Sequence, residues 1–513
     1  MLFTASSDQK KPAVNRFYLV LFWSFFWGIA AHGMALFNKF IYHDEAECFN
    51  NVGTTYGSGR WMLGIMESFM NRFTQSRRYS FSVLNGLITI MCVAAILYLL
   101  FTMLDIQGHV MSILVIGIFV TFPAITGIFG YMFTAPYYYF GTLMGAFGIF
   151  LYHRYHNIPS FVLCMILIAC SVGTYQANLP VCICILMLSF AHNCTHGDND
   201  RSAIIKKAAA VAALCAGSLA LYLILNRVFL AITKTRLLNY KGISGDDTGI
   251  FVYVSRILDA YRDFFFPDPN HAGNVFLFSA RYFHLALILV CLIPTVLLLI
   301  RTFQKNRLNG CILTVFIAFF PLAAYLINVI SPSSDIQNRM TFGKAFTFLL
   351  AAWLWENTVL KRKAVINIRK VTLCLMAFIL FMNIRYANLC YMKANVLQSQ
   401  AYSYYTNLVD RIISLDEYTP DTPVVYINEY KKDYAVVTGT QQWFEPVKSF
   451  PYIYTSIINS GTWKETMAFL CGFDPVVRSS DEFENMSVVK AMPCYPHQGS
   501  IRYIDGCIIV KFK

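Results

Sequence analysis

The chain has 513 residues, 57% of them hydrophobic and 13% charged, with a formal net charge of +13 and a mean hydropathy of +0.51. A soluble domain carries about 25% charged residues, and here the apolar residues fall in long blocks, which excludes an ordinary soluble enzyme and points to a polytopic α-helical membrane protein. The basic excess sits in short segments between those blocks, as cytoplasmic loops place it, and this argues against nucleic acid as a partner.

Residues 1–16 form a polar tail with Lys10, Lys11 and Arg16. The apolar run 17–37 follows; it is too long for the core of a signal peptide and is expected to be an uncleaved first span. Ten further spans are expected at 81–103, 109–128, 137–152, 159–174, 177–192, 208–230, 282–300, 311–330, 344–359 and 371–388, giving about eleven transmembrane helices. Several are shorter than the ~20 residues a perpendicular helix needs. Arg154, Lys206, Lys207, Arg301, Lys305, Arg307 and the run KRKAVINIRK at 361–370 all fall on one side of this count, which places the N-terminus in the cytoplasm. The segments 38–80, 129–136, 175–176, 231–281, 331–343 and 389–513 then face outward.

From about residue 389 the composition changes. Leu397, Ala401, Tyr405, Leu408, Ile412 and Leu415 recur at helical spacing, and the runs PVVYINEY, YAVVTG and CIIVKFK are strand-like between turn residues. The expectation is a small extracytoplasmic α/β domain over 389–513. Most of the fifteen cysteines lie inside apolar runs, where a thiol behaves as a small hydrophobe; of Cys471, Cys494 and Cys507 in the tail, two are able to pair if the tail is extracytoplasmic.

Charge is scarce inside the spans, where an ion-coupled transporter needs it. It gathers in the first outward loop, KFIYHDEAECFNNVGTTYGSGRW, with His43, Asp44, Glu45 and Glu47 within five residues and then Arg60 and Trp61 after a glycine-rich turn. A carboxylate able to take a hydroxyl proton, next to a guanidinium able to grip a phosphate with two parallel hydrogen bonds, suits glycosyl transfer at the membrane surface. Asp44 and Glu45 are the candidate bases and Arg60 the candidate phosphate ligand. His43, Glu47 and Trp61 are candidate substrate contacts, with an interfacial anchor the competing reading of Trp61. Glu67 either orients Arg60 or lies on a polar helix face, and Lys39 is explained by snorkelling. Three other outward segments are expected to join the site: GYMFTAPYYYF with Tyr131, Tyr137 and Tyr138, for which an interfacial tyrosine belt is the competing reading, GTYQANLP with Gln176 placed to meet a sugar hydroxyl, and SPSSDIQNRMTFGK with Arg339 and Lys344 as further phosphate contacts. The loop 231–281, with Arg236, Lys241, Asp246 and Asp247, is a candidate lid.

An N-terminal span, an outward loop with an acidic pair and a GRW turn, and then a YQ turn between later spans resembles the bacterial and phage Gtr-type glucosyltransferases, serotype-converting enzymes that modify O-antigen. The resemblance runs over about 17–390. It implies a GT-C-like transmembrane catalytic domain over 17–388, a polyprenyl-phosphate-linked sugar donor, an inverting mechanism, and a lipid-linked glycan acceptor outside the bacterial cytoplasmic (inner) membrane. Asp44 is then the first choice of base and Glu45 the second. No cofactor is required by the sequence; a divalent metal on the acids is chemically allowed but no spaced acidic motif calls for one. The alternatives are a flippase or transporter of lipid-linked sugars, for which Asn226, Asn328 and Ser171 make a thin polar path, and a non-catalytic scaffold, which leaves the clustered acids and Arg60 unexplained.

Overall fold

The computed structural model describes residues 11–41, 44–45, 55–74, 80–196, 201–238, 249–267, 280–330, 336–358, 363–428, 441–447, 450 and 461–512. It is mostly helical, and each of the eleven expected spans overlaps a helix. Eight helical stretches among the described residues, one of them the interrupted run His109–Tyr131, are long and apolar enough to cross a membrane. The other three are Ala135–Tyr155, which is long but rich in tyrosine, Ile158–Thr174, and Phe346–Glu356. The last has 11 residues, about 16 Å at 1.5 Å per residue, against a hydrocarbon core of about 30 Å. Phe346 to Trp355 are all buried, so the span expected at 344–359 is a short helix enclosed by protein, entered through a 3-10 turn at Phe342–Ala345. Likewise, the run expected as 109–128 breaks after His109–Val120: Phe122 is extended ahead of Pro123, which opens a second helix, Pro123–Ile128, at the first-turn position proline tolerates.

The chain divides into two compact units, Met1–Asn38 with Val52–Asn388, and Lys39–Asn51 with Leu389–Lys513. In the first, the Ala135–Tyr155 helix packs on its neighbours Ser82–Met103, Ile158–Thr174 and Asn178–His196. Glycines make that approach close: a Cβ on Gly141 would stand 2.7 Å from Thr174, and one on Gly145 2.6 Å from the Cys182 sulfur. Without a hydrophobic drive between helices in lipid, such small-residue contacts are what packs them.

The helix Ile250–Phe265 lies in the segment expected to be a lid. Its Ile250, Phe251, Val254 and Leu258 form one exposed apolar face, while Asp263 and Phe264 are buried on the other. The Phe264 carbonyl bonds His284 Nε2 at 2.8 Å, and the Tyr261 hydroxyl donates to the Ala318 carbonyl at 2.9 Å, so this helix is docked by its C-terminal half. Lys241, Asp246 and Asp247 lie outside the described residues.

The tail pattern at 397–415 does not begin a new helix. It continues one 51-residue helix, Lys363–Ile413, in which Leu397, Ala401, Tyr405, Leu408 and Ile412 are buried. The second unit also holds a three-stranded sheet ordered β1 (Val424–Ile427), β3 (Cys507–Lys511), β2 (Ile501–Ile504), with β1 parallel and β2 antiparallel to β3. The central β3 is buried along Cys507–Val510, which is why its sequence is a continuous apolar run. Asp505 and Gly506, both at positive φ, make the two-residue turn from β2 to β3. The run YAVVTG lies outside the described residues. Cys471, Cys494 and Cys507 are free thiols, so no two of them are paired.

Candidate functional site

The six residues Thr55–Arg60 form a tight turn that delivers Arg60 to the head of the Trp61–Thr74 helix. The Arg60 amide donates to the Thr55 carbonyl and the Gly59 amide to the Tyr56 carbonyl, each at 2.9 Å. Three other parts of the chain fasten the turn. The Leu238 amide donates to the Gly57 carbonyl at 2.9 Å. Gln176 Nε2 donates to the Ser58 carbonyl at 2.8 Å and to the Tyr222 hydroxyl at 3.2 Å, and Tyr222 in turn donates to the Gly59 carbonyl at 3.1 Å. Gln176, expected to meet a sugar, thus holds the arginine turn in place.

Gly59 sits at φ +74°, and a Cβ there would lie 2.9 Å from both Gln176 Nε2 and the Tyr222 oxygen. Gly59→Ala is therefore expected to cost about 1–3 kcal/mol, read as a lower Tm, and to impair transfer with it because it moves the residue before Arg60. Unchanged stability and activity would contradict the clasp.

The Arg60 guanidinium donates from Nη1 to the Tyr138 hydroxyl at 2.9 Å and lies over the rings of Tyr138 and Tyr175, 5.7 and 5.3 Å from their centroids. Those two rings are stacked, 4.2 Å apart and 6° from parallel. Arg339 also reaches Tyr175 of this pair. It hydrogen-bonds the Tyr175 hydroxyl, and its guanidinium stands 3.9 Å from the Tyr131 ring centroid. Arg339 is placed by the Asn338–Met340 turn, which packs on Pro123–Ile128 so closely that a Cβ on Gly127 would sit 2.9 Å from the Arg339 amide nitrogen. Tyr138, Tyr139, Thr142, Tyr175, Asn178 and Arg339 line a cleft of about 10 Å³, room for a single water. Thr142 donates to Asn178 Oδ1 at 2.9 Å, and Asn178 donates to the Ser171 carbonyl at 3.1 Å, which fixes the cleft's polar wall. Burial pushes the Tyr175 hydroxyl up to about 12, against the pull of Arg339 and Arg60, so it stays protonated and keeps a proton to donate.

Other expected site residues take different places. Lys344 is buried with its ammonium 4.5 Å from the Tyr325 ring centroid and in the field of Asp263, and it does not line the cleft of Arg339. Trp61 is 3% exposed, stacked on Phe229 at 5.3 Å and abutting Gly173, so packing occupies its ring. Glu67 is buried on the Trp61–Thr74 helix, and Tyr137 is half-buried beside the cleft-lining Tyr138. In the second unit, Asp44 is half-buried and Glu45 is 1% exposed, with Lys39 Nζ donating to Glu45 Oε2. Lys39 is thus ion-paired where snorkelling was expected. His43 and Glu47 lie outside the described residues.

Tyr138 is expected from sequence together with Tyr131 and Tyr137, whereas Tyr175 and Tyr222 are not singled out there. The signal for Tyr175 is its place beside Gln176 in the YQ turn; Tyr222 has none.

A family model described as glucosyl transferase GtrII matches residues 33–355, more than half of the chain. The chain belongs to the GtrII glucosyl transferase family. No curated protein and no solved structure matches it. The GtrII match takes in Asp44, Glu45, the Arg60 turn, Gln176 and Arg339, and stops before the Lys363–Ile413 helix and the sheet.

Proposed function

We propose that this GtrII chain moves glucose from a polyprenyl-phosphate donor onto an O-antigen or related lipid-linked glycan, on the outer side of the bacterial cytoplasmic membrane, with inversion. The observation that carries the reading is the meeting of Arg60 and Arg339 on one tyrosine pair, from loops far apart in sequence. Two guanidiniums meeting at Tyr175 suit a phosphodiester that leaves as a monoester and gains negative charge as it does so. The acceptor hydroxyl gives its proton to Asp44, with Glu45 the second choice, as its oxygen attacks the anomeric carbon. The bond from that carbon to the phosphate oxygen breaks, and the electron pair leaves on polyprenyl phosphate. The resting cleft is too small for a phosphate, so donor binding parts the Tyr138–Tyr175 stack. Tyr131, Tyr138 and Tyr175 then offer ring faces and hydroxyls to the sugar and phosphate. His43, Glu47, Tyr137 and Glu67 are assigned to the acceptor and donor surroundings on sequence grounds. The cytoplasmic N-terminus and the outward tail follow from the basic loops.

The test is direct transfer. Full-length protein in membranes, given polyprenyl-phosphate [14C]glucose and a lipid-linked glycan, is expected to label the glycan with inverted anomeric configuration. Absence of label with every lipid-phosphate hexose offered, together with movement of such a lipid across the bilayer, would favour the flippase reading instead.

A further inference from the structure

The acidic segment is held by a part of the chain that the GtrII match does not reach. Residues Lys39–Asn51 share a compact unit with Leu389–Lys513. Phe40 and Ile41 are 6% and 1% exposed, so two adjacent side chains are sunk just ahead of the acids. The backbone between them is gripped by one side-chain amide. The Ile41 amide donates to Gln398 Oε1 at 2.9 Å, and Gln398 Nε2 donates to the Lys39 carbonyl at 3.1 Å. A carboxamide has one acceptor and one donor edge, and here both are spent on residues i and i+2, from 357 positions away. Gln398 follows the buried Leu397 on the Lys363–Ile413 helix, so its own position is fixed by core packing. Asp44 is three residues beyond Ile41, and Lys39 closes the far side by pairing with Glu45.

We propose that Gln398 is a positioning residue for the transfer reaction. Its amide sets where the Asp44 and Glu45 carboxylates stand, and the unit Leu389–Lys513 is thereby part of the catalytic apparatus. The inference rests on the reading of those carboxylates as the base. Such a grip matters because a misplacement of about 1 Å between a base and its substrate costs on the order of 10²-fold in rate.

Gln398→Met keeps the length of the side chain and removes both bonds. In the full chain it is expected to lower kcat by about 10- to 100-fold, leave KM for polyprenyl-phosphate glucose within about twofold, and leave Tm nearly unchanged. Gln398→Glu keeps the acceptor for Ile41 and loses the donor to Lys39, and should fall between wild type and Gln398→Met. In the Asp44→Asn, Glu45→Gln background, Gln398→Met should cost nothing further, because no base is left to position. A purely structural role would instead lower Tm and carry the same loss into that background; that result, or wild-type kcat in Gln398→Met, overturns the proposal. Should neither variant fold, hydrogen exchange decides: the Ile41 amide of the wild-type protein must be protected, and fast exchange there overturns the clasp. The base reading fails by a separate result, full transfer by the Asp44 and Glu45 variants, so the two failures are distinguishable.

Discussion

Arg60→Ala is expected to lower kcat/KM for the lipid-phosphate donor by about 10²- to 10³-fold, the range seen when one charge-stabilising group is removed from a transition state. The guanidinium already spans two tyrosines at rest, with a hydrogen bond to Tyr138 at 2.9 Å and its carbon 5.3 Å from the Tyr175 ring centre. It is held there by a turn that three other segments grip, so it is ready to meet an anion with little ordering cost. Arg60→Lys keeps the charge and loses the fork, and should recover only part of the loss. Arg339→Ala should behave like Arg60→Ala, because it reaches the same ring pair. The double variant separates a shared ligand from two independent ones. If both arginines grip one phosphate, their losses fall short of additive; if they serve unrelated sites, the losses add. Wild-type kinetics in both single variants would end the phosphate assignment.

An apolar chain makes its few polar groups visible. Arg60, Gln176 and Arg339 stood out because charge and amide groups are rare here, and all three lie within one short network around Tyr138, Tyr175 and the Arg60 turn. The roles within it were not legible. Gln176 looks from sequence like a group facing a sugar, yet its donors go to Ser58 and Tyr222, and a residue's partners across 118 positions leave no trace in spacing. Tyr138 stands among other tyrosines, which in a membrane protein read equally well as an interfacial belt, and Tyr175 is marked only by its place in the YQ turn. Lys344 looked equivalent to Arg339, five residues before it. A 3-10 turn between them sends Lys344 to the Tyr325 ring instead. The helices were legible as hydrophobic blocks. Their breaks were less so: Pro123 was in plain view inside an expected span, and the short enclosed helix Phe346–Glu356 is as apolar as a helix that crosses a membrane. In the tail, β2 was missed because IRYI is half-exposed with polar residues at its centre, whereas the buried CIIV run of β3 announced itself. The division of the first outward loop between two units had no sequence signal at all.

The carboxylates carry the second large expectation. Asp44→Asn is expected to lower kcat by about 10²- to 10⁴-fold with little change in donor KM, the range lost when a positioned general base is removed. The two carboxylates differ in burial. Glu45 is almost fully buried and its Oε2 is engaged by the Lys39 ammonium, whereas Asp44 is half-buried. A carboxylate committed to an ammonium has fewer of its lone pairs available to an incoming hydroxyl. Glu45→Gln should therefore act first on the local structure. It strips the pair from Lys39, whose side chain is 26% exposed and partly solvated, so the loss is expected near 1–3 kcal/mol, below that of a fully buried pair. The two variants thus have opposite signatures: Asp44→Asn loses rate at wild-type Tm, and Glu45→Gln loses Tm with a smaller change in rate. The reverse pattern would make Glu45 the base and Asp44 its support. Added azide or formate sharpens the distinction, because a small external base substitutes for a missing carboxylate in a site that is otherwise intact, and it does nothing for a chain whose acidic segment has come loose. Rescue of Asp44→Asn without rescue of Glu45→Gln is what the Lys39–Glu45 pair requires.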